Sequence, residues 1–348
     1  MRTTRTTRVA AALGLAAALT VTACGQGSGG SASSGASGSS GSSGGKSYTV
    51  AFVPKLQGIP YFEAMNTGGK RACDEIGCTW LYQGPVQADP AAQADIVRSY
   101  IQQHVDALIV APNDPDSMAP LLKQASDAGI KVATSDTDAP NSVRQVFVSQ
   151  ASTEGIGQAL TDSLMKAMGG GGKYAIVSCG PAAANLNAWI SVQKEYSAAR
   201  YPKAELVETV YAGEDQDHAK SMATDLMTRH PDLTGLVGEC TTSAPAVAQA
   251  VRDRQKIGQV FTVGVGTPQS IKPFLLDGSC SESVLWNVES LGWLTAWTAK
   301  QVADGKPLSA FNKVSLELPA VKYDAASKTV LLGDPLLITA DNVDQFKY

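Results

Sequence analysis

Short runs of apolar residues alternate with longer amphipathic segments from Ser47 to the end of the chain. The apolar runs predict strands, and their sequences are TVAFV, DALIVA, IKVATS, VFVS, KYAIVS, ELVETV, GLVGE, VFTVGV and SESVLW. The segments between them have the spacing of one helix face; the first has Pro60 ahead of it, Gly77 behind it and the apolar residues Phe62, Met65, Gly69, Ala72 and Ile76. Repeated strand, helix, strand units with continuously apolar strands indicate parallel sheets covered on both faces.

Two such series can be distinguished, one before about Gln150 and one after it. Each is too long for a single crossover, so the predicted fold class is α/β, with two Rossmann-like, doubly wound lobes in tandem. A further helix, LGWLTAWTAKQVADG, and the predicted strands KVSLELPAV and KTVLLG follow. The chain from Ser47 to its end is long enough for two domains.

The N-terminus has the pattern of a lipoprotein signal. Arg2, Arg5 and Arg8 precede a stretch of small apolar residues that ends in VTAC, at Cys24. This predicts a signal peptide over residues 1–23 and lipidation of Cys24; the alternative is an ordinary signal peptide with an incidental cysteine. Residues 24–45 are almost wholly Gly and Ser after the cysteine, which is typical of a flexible tether. We expect an exported protein, anchored by lipid to the outer face of the cell membrane, at the cell surface or in the periplasm.

Charge and composition exclude several partners. Without the three signal arginines the chain has 25 basic against 32 acidic residues, a net charge of −7, which argues against nucleic acid. The histidines have no Cys or His at metal-ligand spacing, so no metal is expected. The glycine run at 169–172 lacks the order of a phosphate-binding loop and is predicted to end a helix. We expect a monomer without a cofactor.

Five cysteines lie beyond Cys24, an odd number for an oxidising compartment. Cys73 and Cys78 bracket a helix end and could form a short local bridge. Cys179 and Cys240 follow strands of the second lobe and could pair at the rim of the cleft, because neighbouring strands lie close together. Cys280 would then be the unpaired cysteine.

The residues that follow each strand predict the site, because the ligand crevice of an open parallel sheet lies beyond the carboxyl ends of its strands. The candidates are aromatics, amides and carboxylates with one lysine: Lys55, Tyr61, Phe62, Asp136, Asp138, Asn185, Asn187, Glu239, Thr241, Trp286 and Asn287. Aromatic rings pack on the C–H face of a sugar, and amides and carboxylates bridge its hydroxyls. The mixture therefore suits a sugar or polyol.

Several candidates have a structural alternative. Lys55 could be a solvated surface lysine. Asp136 could have the purely structural role of an Asx turn that ends its strand. Tyr61 and Phe62 are consecutive in a helix and cannot both face the core, so one is expected to face the crevice. Trp189 is expected in the core, and Trp286 is the better candidate for ligand contact.

Motifs in order along the chain resemble those of the periplasmic solute-binding proteins of ABC importers: VAFVPKLQGIPYF, YQGPVQADPAAQ, DALIVAPNDPD, SDTD, FVSQASTEGIG, AANLNAW and VLWN. The branch is the ribose-binding type, and within it the proteins for rhamnose and related sugars or for the quorum signal autoinducer 2 (AI-2). The resemblance implies two lobes joined by three hinge strands that close over one ligand, with a transporter permease as partner. It implies an N-terminal lobe of residues 46–149 plus 288–306 and a C-terminal lobe of residues 150–287 plus 307–348.

The resemblance also assigns individual residues. Lys55 and Asp136 match positions that hydrogen-bond ligand in the AI-2 branch, and Trp286 matches a wall residue. Four positions depart from the relatives: Asn185-Leu186 replaces an Asp-Gln pair, Glu239 replaces a proline, and Val265 replaces the acidic residue of pentose-binding relatives.

These observations favour a binding protein that captures a small sugar, such as a rhamnose-like hexose, a pentose or a polyol, by hinge closure and delivers it to an ABC importer. The alternatives are AI-2 uptake and ligand sensing with a membrane receptor. An enzyme that uses Asp136 or Asp138 with Glu239 as an acid and base pair is disfavoured, because the sequence has no nucleophile motif or metal signature.

Overall fold

The computed structural model of the protein describes residues 48–348; the predicted signal peptide, Cys24 and the tether lie outside this range. Within it the strands are β1 (Tyr48–Val53), β2 (Cys78–Tyr82), β3 (Ala107–Val110), β4 (Lys131–Ser135), β5 (Val146–Ser149), β6 (Gly172–Ser178), β7 (Ala204–Tyr211), β8 (Leu233–Gly238), β9 (Phe261–Gly264), β10 (Glu282–Leu285), β11 (Phe311–Asn312), β12 (Val321–Asp324), β13 (Thr329–Leu331) and β14 (Leu336–Ile338). The helices are α1 (Pro60–Ile76), α2 (Pro90–Gln102), α3 (Pro115–Asp127), α4 (Thr153–Ala167), α5 (Ala184–Arg200), α6 (Gln216–Arg229), α7 (Ser243–Asp253), α8 (Pro268–Asp277) and α9 (Val288–Ala303). No helix in the described range is long and apolar enough to span a membrane.

An eight-stranded sheet forms the centre of the first lobe, in the order β11-β12-β13-β5-β4-β3-β1-β2. Its strands are parallel except where β12 pairs with β11 and β13. Phe52 of β1 packs in the same core as Met65 of α1, whereas Ala51 packs on the opposite face with Met118 of α3. Because β1 is buried on both faces, its sequence is continuously apolar.

A six-stranded sheet forms the second lobe, in the order β14-β10-β9-β8-β6-β7, and only β14 of this sheet is antiparallel to its neighbour. Ile176 of β6 packs with Leu160 of α4, and Val177 packs on the other face with Leu226 of α6. The two α/β lobes with parallel, doubly covered sheets confirm the predicted fold class.

The chain crosses between the two sheets at three places. The position of the third crossing differs from the expectation. The chain leaves the first sheet after Ser149, and α9 then packs against α1 on the first lobe. Beyond α9, residues 311–331 stay with the first sheet, because β13 pairs in parallel with β5. The assignment of all of residues 307–348 to the second lobe is therefore wrong; by sheet membership, only the part that contains β14 returns there.

Two local predictions also differ from the structure. β2 was not predicted, because it is an edge strand whose residues are mostly half-buried and do not form a continuous apolar run. In the segment KVSLELPAV, only the last residue, Val321, belongs to a strand. Instead, the hydroxyl of Ser315 accepts hydrogen bonds from the backbone N–H groups of Glu317 and Leu318 at 3.2 and 3.0 Å, which closes a turn.

Helices α1 and α9 approach so closely that glycine is needed at the contact. A side-chain carbon at Gly68 would overlap the backbone oxygen of Glu289, and one at Gly292 would overlap the backbone oxygen of Met65. Both obstacles are backbone atoms, so a side-chain rotation cannot make room. This contact attaches α9 to the first lobe, directly after the second crossing between the sheets.

We expect Gly292→Ala to lower the free energy of unfolding by about 1–3 kcal/mol, the usual cost of overpacking a well-packed interior. Urea denaturation measures this. Gly333→Ala is the matched control, because a side-chain carbon there meets nothing within 4 Å. If Gly292→Ala were as stable as Gly333→Ala, the close approach of α1 and α9 would not matter for stability.

Four cysteines form the two pairs that the sequence analysis considered. Cys73 at the end of α1 is bonded to Cys78 of β2, and Cys179 after β6 is bonded to Cys240 after β8. Cys280 is the free cysteine of the described range and is buried. Burial raises the pKa of its thiol to about 12, so it is not a reactive thiolate at neutral pH.

Candidate functional site

A cavity of about 30 Å³ lies between the two lobes, where the carboxyl ends of the strands of both sheets face each other. We call it the inner pocket. Its lining includes seven of the residues predicted from the sequence: Lys55, Tyr61, Phe62, Asp136, Asn185, Thr241 and Trp286. It also includes six residues that were not among the predicted contacts: Ile59, Leu186, Trp189, Glu214, Cys240 and Val265.

Lys55 joins the two lobes at the centre of the inner pocket. Its Nζ donates a hydrogen bond to Oδ1 of Asn185, on α5 of the second lobe, at 2.9 Å. The same Nζ lies 3.6 Å from Oδ2 of Asp136, which follows β4 of the first lobe. Lys55 is only 4% exposed, so the reading of it as a solvated surface lysine is wrong.

Asp136 is held by one ion pair and two hydrogen bonds, all from the first lobe. Besides the Lys55 ammonium, the Tyr61 hydroxyl donates to Oδ1 at 2.7 Å and the Thr137 hydroxyl donates to Oδ2 at 3.1 Å. Its backbone has φ 66°, a left-handed conformation that Asp adopts more readily than most residues. Burial and the neighbouring carboxylate raise the pKa of Tyr61 well above its ordinary value, so the phenol keeps its proton and remains a donor.

Four aromatic rings form one wall of the inner pocket. The rings of Tyr61 and Phe62, on the first turn of α1, meet edge to face with their centres 5.0 Å apart. The ring centres of Trp286 and Tyr61 are 5.9 Å apart. Trp189 of α5 extends the wall, 5.8 Å from Trp286. The indole N–H of Trp286 donates to the Tyr61 hydroxyl at 3.2 Å, which fixes both rings. Tyr61 and Phe62 are both buried and both line the pocket, rather than dividing between core and crevice.

Glu214 supplies a second carboxylate that the sequence analysis missed. Its Oε2 accepts a hydrogen bond from the Thr242 hydroxyl at 3.1 Å. Burial raises its pKa, while the nearby Lys55 ammonium and the Thr242 bond pull the pKa down. Glu214 follows β7, so the rule of strand carboxyl ends contained the signal, but the residues after that strand were not among the candidates.

Glu239 is not at the inner pocket, contrary to the prediction. Its side chain is fully buried within the second lobe, and both carboxylate oxygens accept from Nε2 of Gln193, at 2.7 and 2.8 Å. The next residue, Cys240, lines the pocket instead. Adjacent side chains on extended backbone point in opposite directions, so only one of these two could face the cleft.

Two predicted amides also lie elsewhere. Asn187 turns away from the inner pocket, and its Nδ2 donates to the backbone oxygen of Pro181 at 2.8 Å. Asn287 is exposed and caps α9, where its Oδ1 accepts from the backbone N–H of Ser290 at 2.9 Å. Both are structural partners of a neighbouring loop or helix end.

Asp138 lies beside the site without lining the inner pocket. Its Oδ2 accepts from a guanidinium nitrogen of Arg144 at 2.6 Å, and its Oδ1 accepts from the Thr134 hydroxyl at 2.7 Å. The carboxylate therefore holds Arg144 in place in a neighbouring part of the cleft.

The inner pocket gives no metal site. Within residues 48–348, Cys179, Glu214 and Cys240 are close enough together to be considered as ligands. The two cysteines are joined in a disulfide, however, and the thiolate is the form that binds metal. We therefore assign no ion to this group.

Comparison with known proteins agrees with this geometry. Residues 50–307 match the family described as the periplasmic binding protein domain. A D-ribose/D-allose-binding protein of Pseudomonas aeruginosa is 29% identical over 198 residues, which cover 55% of this chain and 61% of that protein. The chain thus spans less than two thirds of that relative.

Two solved structures share the whole arrangement of both lobes. LsrB from Clostridium saccharobutylicum, in complex with AI-2, is 26% identical with a TM-score of 0.81; the match covers 86% of this chain and 100% of that one. An ABC transporter solute-binding protein from Clostridium phytofermentas with bound L-rhamnose is 26% identical with a TM-score of 0.82, over 86% of this chain and 98% of that one.

Proposed function

The chain belongs to the periplasmic binding protein domain family, and from this premise we propose that it is an exported solute-binding protein that captures a small sugar between its lobes and delivers it to an ABC importer. The observation that carries the proposal is the bond between Lys55 of the first lobe and Asn185 of the second. Contacts from both lobes exist together only when the cleft is closed, so a ligand that uses them shifts the population toward the closed form.

The chemistry of the inner pocket supports a neutral, hydroxyl-rich ligand. Asp136 and Glu214 place two acidic groups against the single basic group Lys55, which opposes a phosphate or a uronate. The carboxylates and Asn185 accept or bridge hydroxyls, and the wall of Tyr61 and Trp286 can pack on a C–H face. The neighbours with L-rhamnose and the relative named for ribose and allose support the same class.

AI-2 is the second candidate ligand, because the LsrB neighbour contains it. One argument against AI-2 is weaker than the sequence suggested. Glu239, which departs from that branch, lies outside the inner pocket, so the departures from that branch that line the pocket are Asn185 and Leu186. Uptake of AI-2 therefore stays the alternative, and its sensing through a membrane receptor goes with it.

An enzyme is disfavoured. The acid and base pair considered from the sequence needs Glu239 opposite Asp136 or Asp138, and Glu239 is bonded to Gln193 inside the second lobe. The relatives named above are binding proteins. We further propose that residues 1–23 direct export and that lipidated Cys24, followed by the Gly/Ser tether, holds the protein at the membrane next to its permease.

Ligand screening tests the proposal. We expect one of L-rhamnose, D-ribose, D-arabinose or AI-2 to raise the unfolding temperature, since a ligand at 100 times its Kd adds about 2.7 kcal/mol of stability. The same compound should reduce the radius of gyration in small-angle scattering as the lobes close.

Two lysine variants control this experiment. Lys55→Met should lose the response, whereas Lys70→Met, which removes an exposed lysine of α1, should keep it. A ligand that raises the unfolding temperature without changing the radius of gyration would contradict hinge closure. Failure of the whole panel would contradict the ligand class.

A further inference from the structure

We propose that the protein has a second sugar subsite next to the inner pocket, so that its preferred ligand has two sugar units rather than one. The inference rests on the proposed function and extends it. The subsite is a cavity of about 870 Å³ between the lobes, which we call the outer chamber. Its lining includes Arg144, Phe147, Gln150, Glu154, Ala188 and Lys328.

The outer chamber lies next to the inner pocket. Asp136, Asn185 and Trp189 line both cavities. The inner pocket, at about 30 Å³, has room for one or two waters as the side chains stand, so the lobes must part slightly before a sugar unit fits beside Asp136. The outer chamber falls within the range of about 300–1,000 Å³ that is usual for small-molecule sites. A ligand that binds at Asp136 therefore has the large space of the outer chamber beside it.

Gln150 marks the outer chamber as a place for a hydrogen-bond donor. It lies where the chain first crosses between the sheets, and it is only 2% exposed. Its Oε1 is buried and has no hydrogen-bond partner within the described residues. A buried acceptor without a partner costs about 1–3 kcal/mol. If the Gln150 side chain rotates toward the chamber, a hydroxyl of a second sugar unit would satisfy it.

The part of the chamber wall around Arg144 is fixed before any ligand enters. Arg144 is held by Asp138 and donates to the backbone oxygens of Ser327 and Lys328 at 3.1 and 3.3 Å. Its guanidinium stands 5.9 Å from the centre of the Phe147 ring. This gives the chamber a rigid apolar face beside polar groups, which is the combination that a sugar ring needs. It also gives Asp138 a role other than direct contact in the inner pocket.

The charge of the outer chamber favours a neutral unit over a phosphate. Its basic residues are Arg144, Lys322 and Lys328, and its acidic residues are Asp136, Asp138, Glu154 and Asp324. Asp136 is paired with Lys55, so the three positive groups face three other negative groups. An anionic extension would find no excess of positive charge, whereas hydroxyls can use both donors and acceptors.

Calorimetric titration of the full chain tests the subsite. The probes are L-rhamnose, D-ribose and D-arabinose, the methyl glycoside of each, and a disaccharide in which each is linked to D-glucose. For the sugar that binds, we expect the disaccharide to bind at least tenfold more tightly than the free sugar. The methyl glycoside should bind about as tightly as the free sugar, because its added methyl group has no hydroxyl that could reach Gln150.

Two variants locate the effect. Ala188→Trp places a large ring in the chamber and should reduce the disaccharide to the affinity of the free sugar. Gln150→Leu should lose about five- to tenfold for the disaccharide, the effect of one hydrogen bond. The matched control is Ala198→Trp on the exposed side of the same helix, which should keep the preference for the disaccharide.

The outcomes separate the two proposals. If a free sugar binds and no disaccharide binds more tightly, or if Ala188→Trp keeps the preference, the second subsite is overturned while sugar binding stands. If neither free sugars nor disaccharides bind, the sugar class is overturned and the subsite with it.

Discussion

Replacing Asp136 with Asn is expected to lower the affinity for the ligand of the inner pocket by about 100-fold. Hydrogen bonds to a charged group contribute about 1.5–3 kcal/mol, and the carboxylate is the acceptor placed between Lys55 and Tyr61. Asn has nearly the same shape and tolerates the left-handed backbone at this position, so the change removes charge and one acceptor with little strain.

Calorimetric titration with the tightest-binding compound of the panel measures this loss. Asp74→Asn, which changes an exposed aspartate of α1, should bind as the unaltered protein does. Because Asp136→Asn leaves buried Lys55 without its ionic partner, urea denaturation must accompany the titration. The double change Lys55→Met with Asp136→Asn removes that unpaired charge. If Asp136→Asn bound normally, the carboxylate would serve only to hold the first lobe together.

The centre of the site could be predicted because it follows from the topology of parallel sheets. Lys55, Asp136 and Trp286 each come directly after or near the end of a buried strand, and such ends converge wherever parallel sheets are joined by helices. The two lobes could be predicted for the same reason, since continuous apolar strands and amphipathic helices are strong local signals.

The errors arose where the outcome depends on side-chain direction or on pairing between distant segments. Glu239 and Cys240 are adjacent at the end of β8, and strand ends alone do not say which of them faces the cleft. The sequence predicts Asn287 as a ligand contact because a helix cap and a binding amide have the same position in the sequence. The boundary at residue 307 was wrong because β11 to β13 have only two to four residues each, too few for a clear pattern, and join the first sheet through β5.

Glu239, which lies inside the second lobe rather than at the inner pocket, is the source of the second large expected effect, a pH-dependent change in stability. Burial raises the pKa of this carboxyl to about 8 from its ordinary value of 4.5, while the hydrogen bonds from Gln193 oppose the rise. Gln193 also has a buried Oε1 without a hydrogen-bond partner among residues 48–348. Rotation of the Gln193 amide by half a turn would let that oxygen accept the proton of a neutral Glu239. The neutral carboxylic acid is therefore the form that suits this site.

The pH dependence follows from the direction of the shift. Between pH 4.5 and about 8 the folded protein keeps the proton on Glu239, whereas the unfolded chain has lost it. The unfolded chain binds fewer protons there, so the free energy of unfolding falls as pH rises, and the fall ends above the folded pKa. At ~1.4 kcal/mol per pH unit, the total reaches roughly 4–5 kcal/mol as an upper value.

Glu239→Gln should remove this loss, because an amide does not titrate and fits the same contacts. We expect the variant to be about as stable as the unaltered protein near pH 4.5 and more stable by several kcal/mol at pH 8–9. Urea denaturation across this range measures the difference, with Glu195→Gln, an exposed glutamate of α5, as the control that should show little change at any pH. A constant difference between pH 4.5 and 9 would mean that Glu239 is ionised throughout, which would require a charged partner that its buried position beside Gln193 does not supply.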